Sequence, residues 1–316
     1  MKTAIILVGV PGSGKSTYAK TLNLPHFSSD FIRLEVFGTL REHHTAEDNQ
    51  IIFDLLHKKV FSHEGSFIYD ATNTERKRRV LLYNELKMRD FNVEIHLILE
   101  PLELSLYQNR SRAYEKIVPE YVIKDMYKFM GAPRVGVDCD SYKIISQSKF
   151  LKEPTDFQTL MEFAKTNGIL KTIDQFISAD YLHEFSRLKE PHETPYHLED
   201  IHTHIDMCIQ NSFNDTMLIT SILHDLGKSL AKIGGHYKGH DMLSSMYALR
   251  FFDEIKNLPK HIDKKDIIEI IIQHMLAHNG ISESGITRNK LDQKILDLIN
   301  EFKEIDEKSR ITNIIR

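Results

Sequence analysis

Few cysteines, no long apolar run and no surplus of positive charge mark this chain, and each shortage removes a class of protein. Two cysteines, Cys139 and Cys208, are too few for a disulfide framework. They stand in no paired metal-binding spacing, so they read as ordinary thiols in a reducing compartment. No stretch approaches the ~20 consecutive apolar residues that a membrane span requires. The apolar run at residues 4–8 is too short for the core of a secretory signal, and Gly9 and Pro11 break it at once. A formal net charge of −4 argues against coating nucleic acid non-specifically, because that mode neutralises many phosphates together. It leaves room for a local basic groove, since a few well-placed Arg and Lys suffice to position one strand end. Internal repeats and low-complexity tracts are lacking as well. The expectation is a soluble, cytoplasmic protein with no membrane association.

What is present suffices for two domains. The chain has 316 residues, 41% of them hydrophobic and 27% charged, so each half can bury a core. Apolar runs at residues 4–8, 67–69, 93–99 and 142–145 read as buried strands, and another should end near Asp30. Between them lie helical patterns from Lys15, around 48–62 and around 76–89. Such alternation predicts an α/β domain with a mainly parallel sheet over residues 1–150. Beyond residue 150 the 3.6-residue period takes over, in 217–224, 243–255 and 266–278. The sequence therefore predicts a linker with one helix over 151–174 and an all-α domain over 175–316.

Gly9-Val10-Pro11-Gly12-Ser13-Gly14-Lys15-Ser16 satisfies G-x-x-x-x-G-K-[ST], with an apolar strand before it and a helix after it. Glycines let the backbone wrap phosphate oxygens, Lys15 reaches the β/γ-phosphates, and the Ser16 hydroxyl ligates Mg²⁺. Ser13 and Thr17 complete the expected ATP-binding set. Phosphoryl transfer to an alcohol needs a carboxylate to accept the hydroxyl proton. Asp30 emerges where an acceptor would lie, although its position also suits a helix N-cap. Arg33, about one turn later, is suited to an acceptor phosphate. Asp70, at the end of the strand Phe67-Ile68-Tyr69-Asp70, is suited to hold Mg²⁺ through water, to orient Asp30 and Arg33, or merely to form a turn. Asn109-Arg110-Ser111-Arg112 reads as a lid or as a solvated charged face; an arginine closing over the phosphates would offset charge on the transferring group.

The blocks GVPGSGKST, SSDFIR, YDATN and NRSRAYEKIVPEYVIKDMYKFM together resemble the kinase module of phage-type and bacterial polynucleotide kinases, over about residues 1–147. The resemblance implies that Asp30 is the general base for a 5′-hydroxyl and that Arg33 contacts a nucleotide phosphate of the acceptor. It also implies that Lys15 and a lid arginine stabilise the transferring phosphoryl. Ala113-Tyr114 departs from the family's lid and leaves Arg110 and Arg112 as alternatives.

The second half concentrates most of the seventeen histidines. His224-Asp225 ends an apolar helix, and burying so polar a pair beneath leucines is costly unless something such as a metal satisfies it. His204 can supply a further imidazole, and Lys228 is suited to a substrate phosphate. This half, about 175–316, resembles the HD phosphohydrolase superfamily, whose pattern is H…HD…D. His204, His224 and Asp225 match its first three ligands, and Asp306 is the expected fourth. His240 and His274 resemble extra histidines of binuclear or phosphate-binding members. Tyr196-His197 with Asp200 resembles a segment of HD domains attached to tRNA-end-processing enzymes. Mixed imidazole and carboxylate ligation suits a divalent transition metal such as Mn²⁺, Ni²⁺ or Co²⁺ without choosing among them.

The two resemblances together imply a bifunctional end-healing enzyme. It would phosphorylate 5′-hydroxyl ends of RNA, with DNA as a second candidate, and clear 2′,3′-cyclic, 2′ or 3′ phosphates. A separate RNA ligase would then be its partner in sealing. Two rivals stand beside it: a nucleoside kinase fused to a nucleotidase, and a nucleotide-binding regulator with an inactive HD domain.

Overall fold

The computed structural model describes residues 2–40, 42, 45–194, 197–233, 235–278 and 280–312. They fall into two units, Met1–Gln147 and Ser148–Arg316.

The first unit is built on five strands: β1 (Lys2–Val8), β2 (His26–Ser28), β3 (Phe67–Asp70), β4 (Phe91–Ile98) and β5 (Ser141–Ile145). All pair in parallel, in the order β2-β3-β1-β4-β5. Successive strand residues point to opposite faces, so the unbroken burial of Ala4, Ile5, Ile6, Leu7 and Val8 means that both faces of β1 are covered. That is why the strand is a continuous apolar run rather than an alternating one. Its helices are α1 (Lys15–Ala19), α2 (Ser29–Phe37), α3 (Ala46–Phe61), α4 (Arg76–Lys87), α5 (Leu102–Arg110) and α6 (Glu120–Lys128). A capping box between Thr45 and Asp48 starts α3. Register matters most for function. Leu7 and Ser28 both pair with Asp70, so the carboxyl ends of β1, β2 and β3 finish side by side. In open parallel sheets this edge is where ligands bind.

The second unit is helical: α7 (Phe157–Asn167), α8 (Ile169–Phe176), α9 (Ala179–Leu182), α10 (Ile201–Asn211), α11 (Asp215–Leu223), α12 (Lys228–Ala231), α13 (His240–Glu254), α14 (Lys264–His278), α15 (Glu283–Asn289) and α16 (Gln293–Lys308). Residues 217–223 of α11 are all buried, the signature of a helix surrounded by others. Around it pack Ile270, Ile299, Phe302 and Ile305. Each such side chain contributes about 1.5–3 kcal/mol when fully buried, enough in sum to carry a polar centre inside the bundle. Among the described residues no helix is long and apolar enough to cross a membrane.

Candidate functional site

In the first unit the phosphate loop runs from the end of β1 into α1. Gly12 has φ +84°, and a Cβ there would overlap the Ser105 carbonyl of α5, so only glycine fits. Gly14, at φ 95°, stands at the N-cap of α1. Lys15 is buried, and its ammonium donates to the Val10 carbonyl at 2.9 Å. Burial pulls its pKa down to about 8, with Asp70 and Asp30 opposing and Arg112 adding to the fall. The Ser13 hydroxyl is buried with no hydrogen-bond partner among the described residues. Ser16 Oγ donates to Asp70 Oδ2 at 3.3 Å, and His26 Nε2 lies 3.0 Å from the same oxygen. Thr17 is exposed, and its N–H donates to the Gly14 carbonyl at 3.0 Å.

Ser28, not Asp30, caps α2: its hydroxyl accepts the Asp30 N–H at 3.2 Å. The Asp30 carboxylate is therefore not consumed by capping, and the residue is exposed. Arg33 is buried and donates to Asn49 Oδ1 at 2.6 Å, which fixes its guanidinium against α3. The two arginines beyond α5 differ. Arg110 is exposed and donates to Glu120 Oε1 at 2.7 Å, whereas Arg112 is half-buried and its charge reaches Lys15. Asn109 closes the base of this loop, donating to the Val118 carbonyl at 2.8 Å and accepting the Val118 N–H at 3.1 Å.

In the second unit one centre gathers every metal-ligand residue expected there. Asp225, just beyond α11, stands between two groups. Its Oδ2 lies 3.1 Å from His224 Nε2 and 3.5 Å from His204 Nε2. Its Oδ1 lies 3.3 Å from His240 Nε2 and 3.8 Å from His274 Nε2. Asp306 Oδ1 is 2.8 Å from His204 Nε2 and 4.0 Å from His224 Nε2. Gly227 makes the assembly possible, because a Cβ there would overlap the His240 carbonyl where α13 begins.

The tautomers follow from the second partners. Nδ1 of His204, His224, His240 and His274 lies 2.7–3.0 Å from the carbonyls of Ser309, Ser221, Tyr237 and Ile271. Each Nδ1 thus carries a proton and donates, which turns four Nε2 lone pairs inward. His224 Nε2 and Asp225 Oδ1 are buried without a hydrogen-bond partner among the described residues. This donor set fits a divalent transition-metal ion, which needs unprotonated imidazole and ionised carboxylate. Burial alone would raise Asp225, but the Lys228 ammonium beside it helps to hold it well below the usual carboxylate range.

Lys228 Nζ reaches Asp225 Oδ2 at 2.6 Å and His192 Nε2 at 3.2 Å. Burial, with Lys228 alongside, pushes His192 down to about 3, so it accepts rather than donates. His192 was not legible as a site residue. His278 and Arg310 were missed too: His278 Nε2 lies 2.5 Å from Asp306 Oδ2, and the Arg310 guanidinium donates to the same oxygen. The i,i+4 spacing of His274 with His278, and of Asp306 with Arg310, was the available signal. His197 donates from Nδ1 to Glu199 Oε1 at 2.6 Å and flanks His204, while Tyr196 beside it lies outside the described residues. Asp200 is the N-cap residue of α10.

A family model for the AAA domain matches residues 5–133, that is, most of the first unit. No curated protein matches the chain. Among solved structures it is similar to a chain of the Pnkp1/Rnl/Hen1 RNA repair complex, at 22% identity over 41% of this chain and 44% of that one, with a TM-score of 0.35. A second structure of the Pnkp1/Rnl/Hen1 complex is similar at 23% identity over 36% and 40%, with a TM-score of 0.28. The chain thus spans less than half the length of either. Sheet, phosphate loop and family match agree: the first unit is a P-loop, nucleotide-binding, kinase-like domain, and a helical region follows it.

Proposed function

We propose that this chain heals broken nucleic-acid ends, with RNA the expected substrate, through a 5′-hydroxyl kinase in the first unit and a phosphohydrolase in the second. The kinase half rests on one observation above others: a carboxylate left unused by capping, Asp30, stands with Arg33 one turn on and Lys15 within reach of its charge. In this reading Asp30 takes the proton from the 5′-hydroxyl while its oxygen attacks the γ-phosphorus of ATP. The bond from the γ-phosphorus to the bridging oxygen breaks, and ADP leaves. Lys15 and Arg112 neutralise the charge that builds on the transferring group. Mg²⁺ would be held by Ser16 with Asp70 beside it. Arg33, fixed by Asn49, would grip a phosphate of the acceptor strand, a group that a free nucleoside lacks.

In the second unit His204, His224, Asp225, Asp306, His240 and His274 would hold divalent ions, Mn²⁺, Ni²⁺ and Co²⁺ being the expected ones. Asp225 lies between two donor groups, which supports two ions rather than one. A bound divalent ion would supply a water of lowered pKa and polarise the phosphoryl group. Lys228 would orient a 2′,3′-cyclic, 2′ or 3′ phosphate toward that centre, itself held by Asp225 and His192.

The test supplies ATP with a 5′-hydroxyl RNA ending in a 2′,3′-cyclic phosphate and follows both ends. Lys15→Ala should lose only 5′ phosphorylation, and Asp225→Ala only 3′-end clearance. Loss of both activities in either variant, or faster phosphorylation of free nucleosides than of oligonucleotide ends, would overturn the reading.

A further inference from the structure

Cys208 lies one turn after His204 on α10, fully buried, with its sulfur 3.6 Å from His204 Nε2. That nitrogen is the one turned toward Asp306 and Asp225. Ligand atoms of His204, Cys208, His224 and Asp306 all fall within 4.8 Å of one another. The sulfur therefore sits on the donor side of the imidazole rather than behind it. With metal bonds of ~2.3 Å to sulfur and ~2.0–2.1 Å to nitrogen, two tetrahedral ligands stand about 3.6 Å apart. The observed separation has that length.

A second observation points to a ligand independently. His224 Nε2 is fully buried, aimed into the same group, and has no hydrogen-bond partner among the described residues. The H…HD…D pattern contains no thiol, so the sulfur is additional to it.

We propose that Cys208 is a metal ligand, so that His204, His224, Asp306 and Cys208 form a nitrogen, oxygen and sulfur set for a thiophilic divalent ion such as Zn²⁺ or Co²⁺. This rests on the reading of the histidine centre as a metal site. On binding, the thiol releases its proton to solvent and the thiolate donates to the ion. Soft sulfur favours Zn²⁺ and Co²⁺ over Mn²⁺ and Mg²⁺ more strongly than imidazole and carboxylate alone. Cys208 also belongs to the buried hydrophobic cluster that includes Met217, Ile270 and Ile305, so it stands at the border of core and centre.

The full-length protein, stripped with chelator and dialysed, is titrated with Co²⁺ and followed by absorption. The wild type should show visible cobalt bands together with a near-ultraviolet sulfur-to-cobalt charge-transfer band. Cys208→Ser and Cys208→Ala should keep the visible bands, lose the charge-transfer band, and bind Zn²⁺ at least ~10–100-fold more weakly, the loss usual even for an outer-shell partner. Cys139→Ser, in the other unit, should change nothing. Visible bands without charge transfer in the wild type would overturn the thiolate ligand and leave the metal centre standing. No cobalt spectrum in the wild type would overturn the metal centre and the thiolate ligand with it. The wild-type and Cys139→Ser spectra decide even if both Cys208 variants misfold.

Discussion

The Nε2 atoms of His240 and His274 face each other at 3.2 Å, although each ring has already committed Nδ1–H to a backbone carbonyl. Two lone pairs at that distance repel unless a cation is shared between them. Mn²⁺ or Co²⁺ should therefore raise the unfolding temperature in calorimetry, by the equivalent of about 2.7 kcal/mol at a hundredfold excess over Kd. His240→Ala and His274→Ala should each remove the part of that gain that comes from the ion held between them. An equal gain in the wild type and both variants would show that the ion binds elsewhere.

Arg79 and Asp138 form an ion pair at 2.9 Å with both side chains fully buried. Arg79 also donates to the carbonyls of Asn73, Thr74 and Gly131, so it pins the turn after β3 to the segment before β5. Removing one partner of such a pair costs about 3–5 kcal/mol. Arg79→Met or Asp138→Leu should each fall in that range by urea denaturation. The double variant should be less destabilised than the sum, because neither charge is then left buried alone.

Gly12→Ala combines a left-handed backbone with overlap on the Ser105 carbonyl. It should abolish ATP binding, read by fluorescent nucleotide titration. It should also destabilise the first unit by more than the ~1 kcal/mol by which a tolerated Gly→Ala change stabilises. Retained nucleotide affinity would show that α5 gives way more easily than its packing implies.

Arg112→Ala should lower the kinase kcat by about 10³-fold or more, the scale on which a phosphate-clamping arginine acts. Arg110→Ala should leave kcat within about twofold, since its partner is an exposed glutamate and such pairs contribute little. The reverse order would exchange the roles of the two.

Strands and helices of the first unit were legible because a strand covered on both faces must be apolar throughout, as residues 4–8 are. Lys15 and Ser16 were legible from the fixed spacing of the phosphate-loop motif, and Asp70 because it ends a strand where the chain turns polar abruptly. The histidine centre was legible only in part. His224-Asp225 announces itself by being polar at the end of a wholly apolar helix. Cys208, His278 and Arg310 each stand four residues from a member of it, whereas His192 joins from a separate segment, and no local pattern brings it to Lys228 across 36 residues. The sequence offers Asp30 as a cap where Ser28 serves instead, because Ser and Asp suit that position equally well. Only the backbone direction decides between them.

Asp140 offers a pH test away from either site. Partial burial pushes its carboxyl up, but Lys87, the Val93 N–H and the Tyr83 hydroxyl together hold it below the usual range. A depressed folded pKa adds stability that is present above the unfolded value, about 3.9, and is lost as pH falls through the folded value. The first unit should therefore lose stability below about pH 4, and Asp140→Asn should flatten that acid limb of the unfolding curve. An unchanged limb would assign it to other carboxylates.

Asn109 fastens residues 110–117 into a loop by bonding Val118 in both directions. A loop closed at its neck costs little more to close when it is lengthened, since closure entropy grows only slowly with length. Residues 113–117 can therefore be exchanged or extended without disturbing the helices on either side, provided that Arg112 is kept. Sequence variation can accumulate there, or be engineered there, while the phosphate loop stays as it is.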